Sequence, residues 1–498
     1  GIGTEALRTN STGAGNTGVG YIAMYSNTTG TGNTAVGYRA LCSNTTGTYN
    51  NAFGCDVLLN NTTGSANVAS GQCSMQENIA GSCNVALGFR TLTYATSACN
   101  NTAIGNQVLY RNTTGIDNIG MGPSSLRENT TGNQNVAIGC GAVQANTIGS
   151  RNIGIGTVPL MSNTTGCDNA AIGCGALGSN IDGCYNQAIG FKALFSNLSA
   201  DNNTAIGECS LYSNISGADN IMIGKHAGKI TNAHNNIGIG TQALGCNTVG
   251  YHNVGLGRCA LLQNTSGPVN TAVGGSALMS NTTGGYNVAV GNIAAQKHTA
   301  NNFVALGYAA GACNTSASGN VAVGSSASFC NVTGVENTAV GLQALYKNTA
   351  SVNTAVGSCA LVCNTTGGCN TAMGYYAMYK NCSGNFNIGI GPLALCANAS
   401  GCYNTAIGYS ASRLHTTGCN NISYGYQTLY SNTIGSDNVA IGMMTLYGSV
   451  TASGNTAVGS GALKCNTTGE YNVAMGYHAL FANTTCGNNT AVGYNALA

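Results

Sequence analysis

The chain has 498 residues, only 6% of them charged, with 15 Lys or Arg against 13 Asp or Glu and a formal net charge of +2. So few and so balanced charges argue against a nucleic-acid partner, which needs a basic surface, and fall far below the roughly one quarter usual in soluble domains. No apolar run reaches the ~18 residues of a membrane span and no basic-then-apolar leader opens the chain, so neither a spanning segment nor a leader is expected.

From the first residues onward a glycine recurs at Gly3, Gly20, Gly37 and Gly54, and the series ends at Gly476 and Gly493, thirty times in all. The step is 17 residues except for three steps of 16, at Gly224 to Gly240, Gly291 to Gly307 and Gly341 to Gly357. Length alone predicts about three domains; the unbroken register predicts one continuous array over 1–498.

Each unit reads in the same order, as in Asn33 to Tyr49. Four residues before the glycine stands Asn in 28 of 29 repeats, Phe303 being the exception. Two before it nearly always stands Ala or Gly (Ala35, Ala103, Gly154), and one before it usually Val, Ile, Leu or Met (Val36, Ile104, Ile155). Adjacent strand residues face opposite ways, so the segment Thr-Ala-Val-Gly is predicted to be a strand buried on both sides. The alternative is that the outer column meets another surface, such as a second chain.

Four residues after the glycine comes Leu, Met or Val in 25 of 30 repeats, a second wall for a thin core. The following Asn-Thr-Thr-Gly (Asn27 to Gly30, Asn44 to Gly47) reads as a corner in which Asn and Gly tolerate positive φ. An ordinary helix of ~11 residues has no room in such a unit.

A unit this small cannot bury its own apolar residues, so neighbours must stack. The predicted fold is therefore all-β, a parallel β-solenoid of about thirty coils with strands ~4.8 Å apart. The Asn column becomes a ladder of side-chain amides, the recurring glycine marks a close backbone approach, and the 16-residue coils lose their residue at the Asn-Thr-Thr-Gly corner.

The Asn-x-Ala-Val-Gly units resemble the repeats of trimeric autotransporter adhesin heads and of related phage and environmental fibres. The segments without the Leu, Gly307 to Gly311, Gly324 to Ser328 and Gly408 to Ser412, are most similar to the shorter adhesin unit. The resemblance covers nearly the whole chain and implies a left-handed β-roll, three intertwined chains and a surface role in attachment. Adhesin heads use a shorter unit than the 17 residues here, so the corner is larger and the three-chain assembly stays open against a monomeric or polymeric one.

The Asn seven residues after the glycine begins an N-x-Ser/Thr sequon at Asn10, Asn27, Asn44, Asn61, Asn112, Asn129, Asn163, Asn197, Asn214, Asn264, Asn281, Asn314, Asn331, Asn364, Asn381, Asn398, Asn466 and Asn483. These are candidate N-glycosylation sites. The corner also wants Asn for its own sake, as Asn78, Asn146, Asn180, Asn247, Asn348 and Asn432 stand in the same column without a sequon. Among 23 cysteines there is no CxxC pair, which argues against zinc and redox motifs. Cys167 with Cys184, Cys313 with Cys330, and Cys402 with Cys419 lie one coil apart in one column, and Cys83 with Cys99 in neighbouring coils. Stacked neighbours meet the Cα separation of a disulfide, so these are candidate pairs, and an odd total leaves one thiol free or bonded to another chain. Sequons and cysteines together place the chain in an oxidising, extracellular setting, at a cell or virion surface.

No catalytic residue, cofactor or metal site is expected. Gly173 to Gly178 spells GxGxxG without the helix and acidic partner that dinucleotide binding needs. Asp117, Asp168, Asp219 and Asp437 share a column but never adjoin. A tyrosine column after the glycine (Tyr21, Tyr38, Tyr409, Tyr426) could bind sugar or a partner chain, or simply pack. The expected function is an extracellular structural fibre, disulfide-stapled and sugar-coated, partnering itself as a homotrimer or end-to-end polymer. The alternatives are an adhesin or viral tail-fibre shaft with a binding tip and, third, an ice-binding solenoid. The chain opens and closes within a repeat, which reads as a segment of a longer or polymerising chain.

Overall fold

The computed structural model describes residues 1–498 and contains strands and turns but no helix. Its strands are three residues long and run in chain order from β1 (Thr17–Val19) to β29 (Thr490–Val492). They fall in two compact units, Gly1–Val249 and Gly250–Ala498. The first holds β1 to β14 (Ile237–Ile239) and the second β15 (Val254–Leu256) to β29.

Within each unit the chain is a parallel β-solenoid with one repeat per coil. In the first, Thr34, Ala35 and Val36 stand opposite Thr17, Gly18 and Val19 on one side and Asn51, Ala52 and Phe53 on the other. In the second, Thr371, Ala372 and Met373 align with Thr354, Ala355 and Val356. Hydrogen bonds between coils continue beyond the strands: Leu41 N–H donates to Val57 O at 2.9 Å, Ser43 to Leu59 at 3.0 Å and Arg39 to Tyr21 at 3.0 Å. The turns thus satisfy their backbone groups by stacking, as buried peptide groups must.

The core is one thin column set. Ala35, Ala40 and Leu41 are wholly buried, as are their counterparts Ala52 and Leu58. The predicted burial of both strand faces is corrected here: only the middle residue of each strand points inward, and its two neighbours point out. Ile138 keeps 39% and Ile153 40% of its surface exposed. With one small Ala per strand and the Leu from across the coil, the interior is full, and no volume remains for the second apolar column.

The positive-φ expectation also moves. Neither Asn44 nor Gly47 of the corner is left-handed, whereas Arg39 (φ 53°), Leu41 (φ 56°) and Tyr49 (φ 58°) are, and these positions repeat down the chain. Each such residue costs about 1 kcal/mol in isolation and persists because stacked neighbours impose it. Gly47 is needed for closeness, since a Cβ there would run into Gly64 O and the Asn44 side chain. Gly37 is needed on both counts, with φ 141° and the carbonyl of Gly54 where a Cβ would stand.

The corner does absorb the missing residue. In a full coil Thr45 O gathers the N–H groups of Thr28, Thr29 and Gly30 at 3.0 to 3.2 Å. In the short coil after Gly224, the Asn232 side-chain Oδ1 replaces that carbonyl, accepting Ile215 and Ser216 N–H at 2.9 Å each.

Candidate functional site

Two asparagine ladders run inside each unit. In the predicted one, Asn33 Oδ1 accepts Asn50 N–H at 2.9 Å and Asn50 Nδ2 at 3.2 Å, while Asn50 Nδ2 also reaches Gly64 O at 2.8 Å. The second is the sequon column: Asn44 Nδ2 donates to Asn27 Oδ1 at 2.7 Å and to Gly47 O at 3.0 Å.

That placement turns the sequon column inward in the folded coil. Asn27, Asn44, Asn61, Asn112, Asn129, Asn163, Asn197, Asn214, Asn264, Asn281, Asn314, Asn331, Asn364, Asn381, Asn398 and Asn466 have no exposed surface. The Nδ2 atom that would carry the sugar is enclosed in the folded coil, and in Asn44 it already makes two hydrogen bonds. Only Asn10 and Asn483, in the terminal coils, are half-buried. Sequence reasoning missed the sequons that face outward. Asn100, Asn202 and Asn488 are exposed and head the tripeptide Asn-Asn-Thr, one position before the first ladder. The doubled Asn was the available signal; Asn60 shares it, but its amide is held by Glu77 at 2.8 Å.

Cys167 N–H meets Cys184 Sγ at 3.1 Å and Cys402 N–H meets Cys419 Sγ at 3.2 Å, so both pairs are stacked in one column as expected. Burial, and then the neighbouring Cys313, push the Cys330 thiol pKa up. Cys83 and Cys99 lie in adjacent columns, Cys99 Sγ facing Ser82 N–H at 3.4 Å.

The exposed columns are regular too. Tyr21 and Tyr38 stack at 5.5 Å between centroids, as do Tyr409 and Tyr426. Asp168 takes a bidentate Arg151 at 2.6 and 2.8 Å, which holds its carboxyl below the usual range. The first corner threonine spends its hydroxyl on the next coil, Thr45 Oγ1 donating to Thr62 O at 3.1 Å. Glu208, Cys209 and His226 bring possible ligand atoms within 4.8 Å of one another, but Lys225 Nζ sits 2.9 Å from Glu208 and already neutralises it. Tyr94, Tyr110, Arg111, Thr113 and Thr130 line an open depression of about 340 Å³.

Every strand thus offers the solvent two side chains flanking its buried residue. The third-position column is apolar from Val19 to Val492 except at Ser70, and neither outward column contains a charged residue. Comparison with protein-family models finds no match for this chain, and comparison with curated proteins finds none either.

Proposed function

We propose that the protein is an extracellular structural fibre element whose role is mechanical persistence rather than catalysis. The observation that carries this reading is the pair of buried Asn ladders running with hydrogen bonds that continue around the coil. To open one coil is to strand amides in its neighbours, which raises the cost of local unfolding and of proteolysis. The cysteine content, with the stacked pairs Cys167 with Cys184, Cys313 with Cys330 and Cys402 with Cys419, fits an oxidising compartment in which they close as disulfides. Sugar, where present, sits on the outward Asn100, Asn202 and Asn488 and not on the ladder.

A second reading, an adhesin or tail-fibre shaft bearing a binding tip, is favoured by the resemblance of the repeats and by the exposed tyrosine stacks. Cryo-EM of the native material, resolving the section perpendicular to the ~4.8 Å strand repeat, tests both. Long filaments of stacked coils support the fibre, a distinct head at one end of a short shaft supports the second reading, and dispersed, protease-labile particles sink both.

A further inference from the structure

We propose that the outward strand face of the solenoid is a self-association surface, on which a second copy of this chain packs by the same face. The inference rests on the fibre reading for its purpose, since lateral pairing turns a single solenoid into a thicker and stiffer element.

The face is largely apolar and uncovered: its third-position column is apolar but for Ser70, while Thr17, Thr34, Asn51, Thr102, Gln187 and Thr204 stand among the Val and Ile residues of the other. Ile104 is 37% exposed, Ile138 39% and Ile172 38%, in one column on alternate strands. Beside them Ile119 and Ile153 are 37% and 40% exposed in the other outward column. The parallel register lines these side chains up, as Ile138 lies opposite Ile155 and Val136 opposite Ile153, and Val and Ile are β-branched and stiff at χ1. Ordering them on association therefore costs little further rotamer entropy. Two partly exposed side chains per strand over β1 to β14 come to on the order of 1,000 Å² in the first unit, above the ~300 to 600 Å² patches that monomers tolerate and comparable with the ~800 Å² each partner buries in a stable complex.

The chemistry selects the occupant. Ridges recur at the ~4.8 Å strand spacing, so the surface that interdigitates along its whole length must carry the same repeat, as another copy does. Neither outward column has a charge, so two identical faces meet without repulsion and without an unpaired ion to desolvate. The same patch serves both partners, the condition for a closed two-fold pair, with the sheets about 10 Å apart as in a dry steric zipper. An anionic membrane would call for a basic rim. The cations near this face are few and scattered, and Arg39 is paired with Asp56 at 2.7 Å.

The test is sedimentation equilibrium on the full chain, beside the triple variant Ile104→Lys, Ile138→Lys, Ile172→Lys. The alternate strands keep the new lysines apart, and all three positions face solvent in the single chain, so coil stacking is spared. A control carries lysine at the exposed corner residues Ile148, Ile181 and Ile215. The expected result is a two-chain mass for the protein and the control, at least a tenfold weaker association for the face variant, and circular dichroism melting curves alike for all three. A monomeric parent, a three-chain mass, an unchanged mass in the face variant, or capture by neutral lipid vesicles in place of dimerisation each overturns the proposal. Electron microscopy separates the two ideas: elements one chain wide sink the pairing whatever their length and two-chain elements uphold it, while the fibre reading falls only if native material never lengthens into filaments.

Discussion

The ladder around Asn44 in the first unit and the one around His298 in the second solve the same problem with different residues. From Asn27 to Asn78 the second ladder is continuous, each Nδ2 reaching the Oδ1 one coil back at 2.6 to 2.7 Å. Around the short coil after Gly291, three rules fail together: Ala295, Gly311 and Ser328 replace the core Leu, His298 replaces a ladder Asn, and Phe303 replaces the other. Phe303 is wholly buried, and its ring reaches the place where a Cβ of Gly311 would stand. One column lends volume that another has lost. The repair leaves His298 Nε2, Asn314 Nδ2 and Ser328 Oγ without hydrogen-bond partners. A solenoid therefore tolerates a broken column when the volume is recovered, and the cost falls on polar satisfaction.

Breaking the repair has the largest expected effect. Phe303→Asn restores the ladder residue but empties the core, and should cost about 4 kcal/mol by the usual cost of removing a buried aromatic. Adding Gly311→Leu should recover most of it, because Gly311 (φ 58°) already has the left-handed backbone that Leu345 (φ 51°) adopts in its column. Guanidinium unfolding of both variants measures the non-additivity; equal losses would show that Phe303 does not stand in for the missing Leu.

In the intact ladder, Asn50→Ala removes the donors to Asn33 Oδ1 and Gly64 O and the acceptor for Asn67. With several buried groups orphaned, the loss should be about 3 kcal/mol, read as faster amide exchange confined to the coils from Asn33 to Asn67. Uniform exchange along the unit would contradict a local ladder.

The histidines sharpen the comparison by pH. Burial lowers the pKa of His298 to about 4, and lowers that of His415. His415 imitates Asn well: its Nε2 meets Gly418 O at 2.7 Å and its Nδ1 meets Asn432 Nδ2 at 3.3 Å, which calls for a proton on Nε2. Since the folded value lies below the unfolded one, the neutral ring's stability is full above about pH 6.5, is lost as pH falls through that value toward 4, and levels off below. For His298 the loss is at most about 3 kcal/mol. The second unit should melt earlier in acid than the first, and His298→Asn should remove part of that difference in a calorimetric pH series.

The smallest effect on stability belongs to the outward acceptors. In a folded, secreted chain, glycopeptide mass spectrometry should find sugar at Asn100, Asn202 or Asn488 and none at Asn44 or Asn61, and Asn100→Gln should leave the melting temperature unchanged. Sugar on Asn44 in folded material would contradict the buried ladder.

Much was legible in the residues because a repeat writes the same instruction many times. The glycine period, the Ala before it and the Leu after it specify a coil too small to stand alone, and Asn at a constant place specifies a ladder. Direction was harder. Val36 and Ala35 are both apolar, and alternation alone says that they face opposite ways, not which way is in. The sequon at Asn44 is equally ambiguous, since a corner asparagine reads the same whether its amide faces water or the next coil. The left-handed Leu41 and Arg39 left no mark at all, because neither residue type favours that backbone.

The sequence by itself determined the period, the parallel stacking and the near absence of charge, all of which follow from which residues recur and how far apart. Only the tertiary structure decided which columns are interior. The coil's cross-section holds one Ala, one small residue and one Leu per turn with both Asn amides, and close packing then forces Val36, Ile138 and their column outward while drawing Asn44 in.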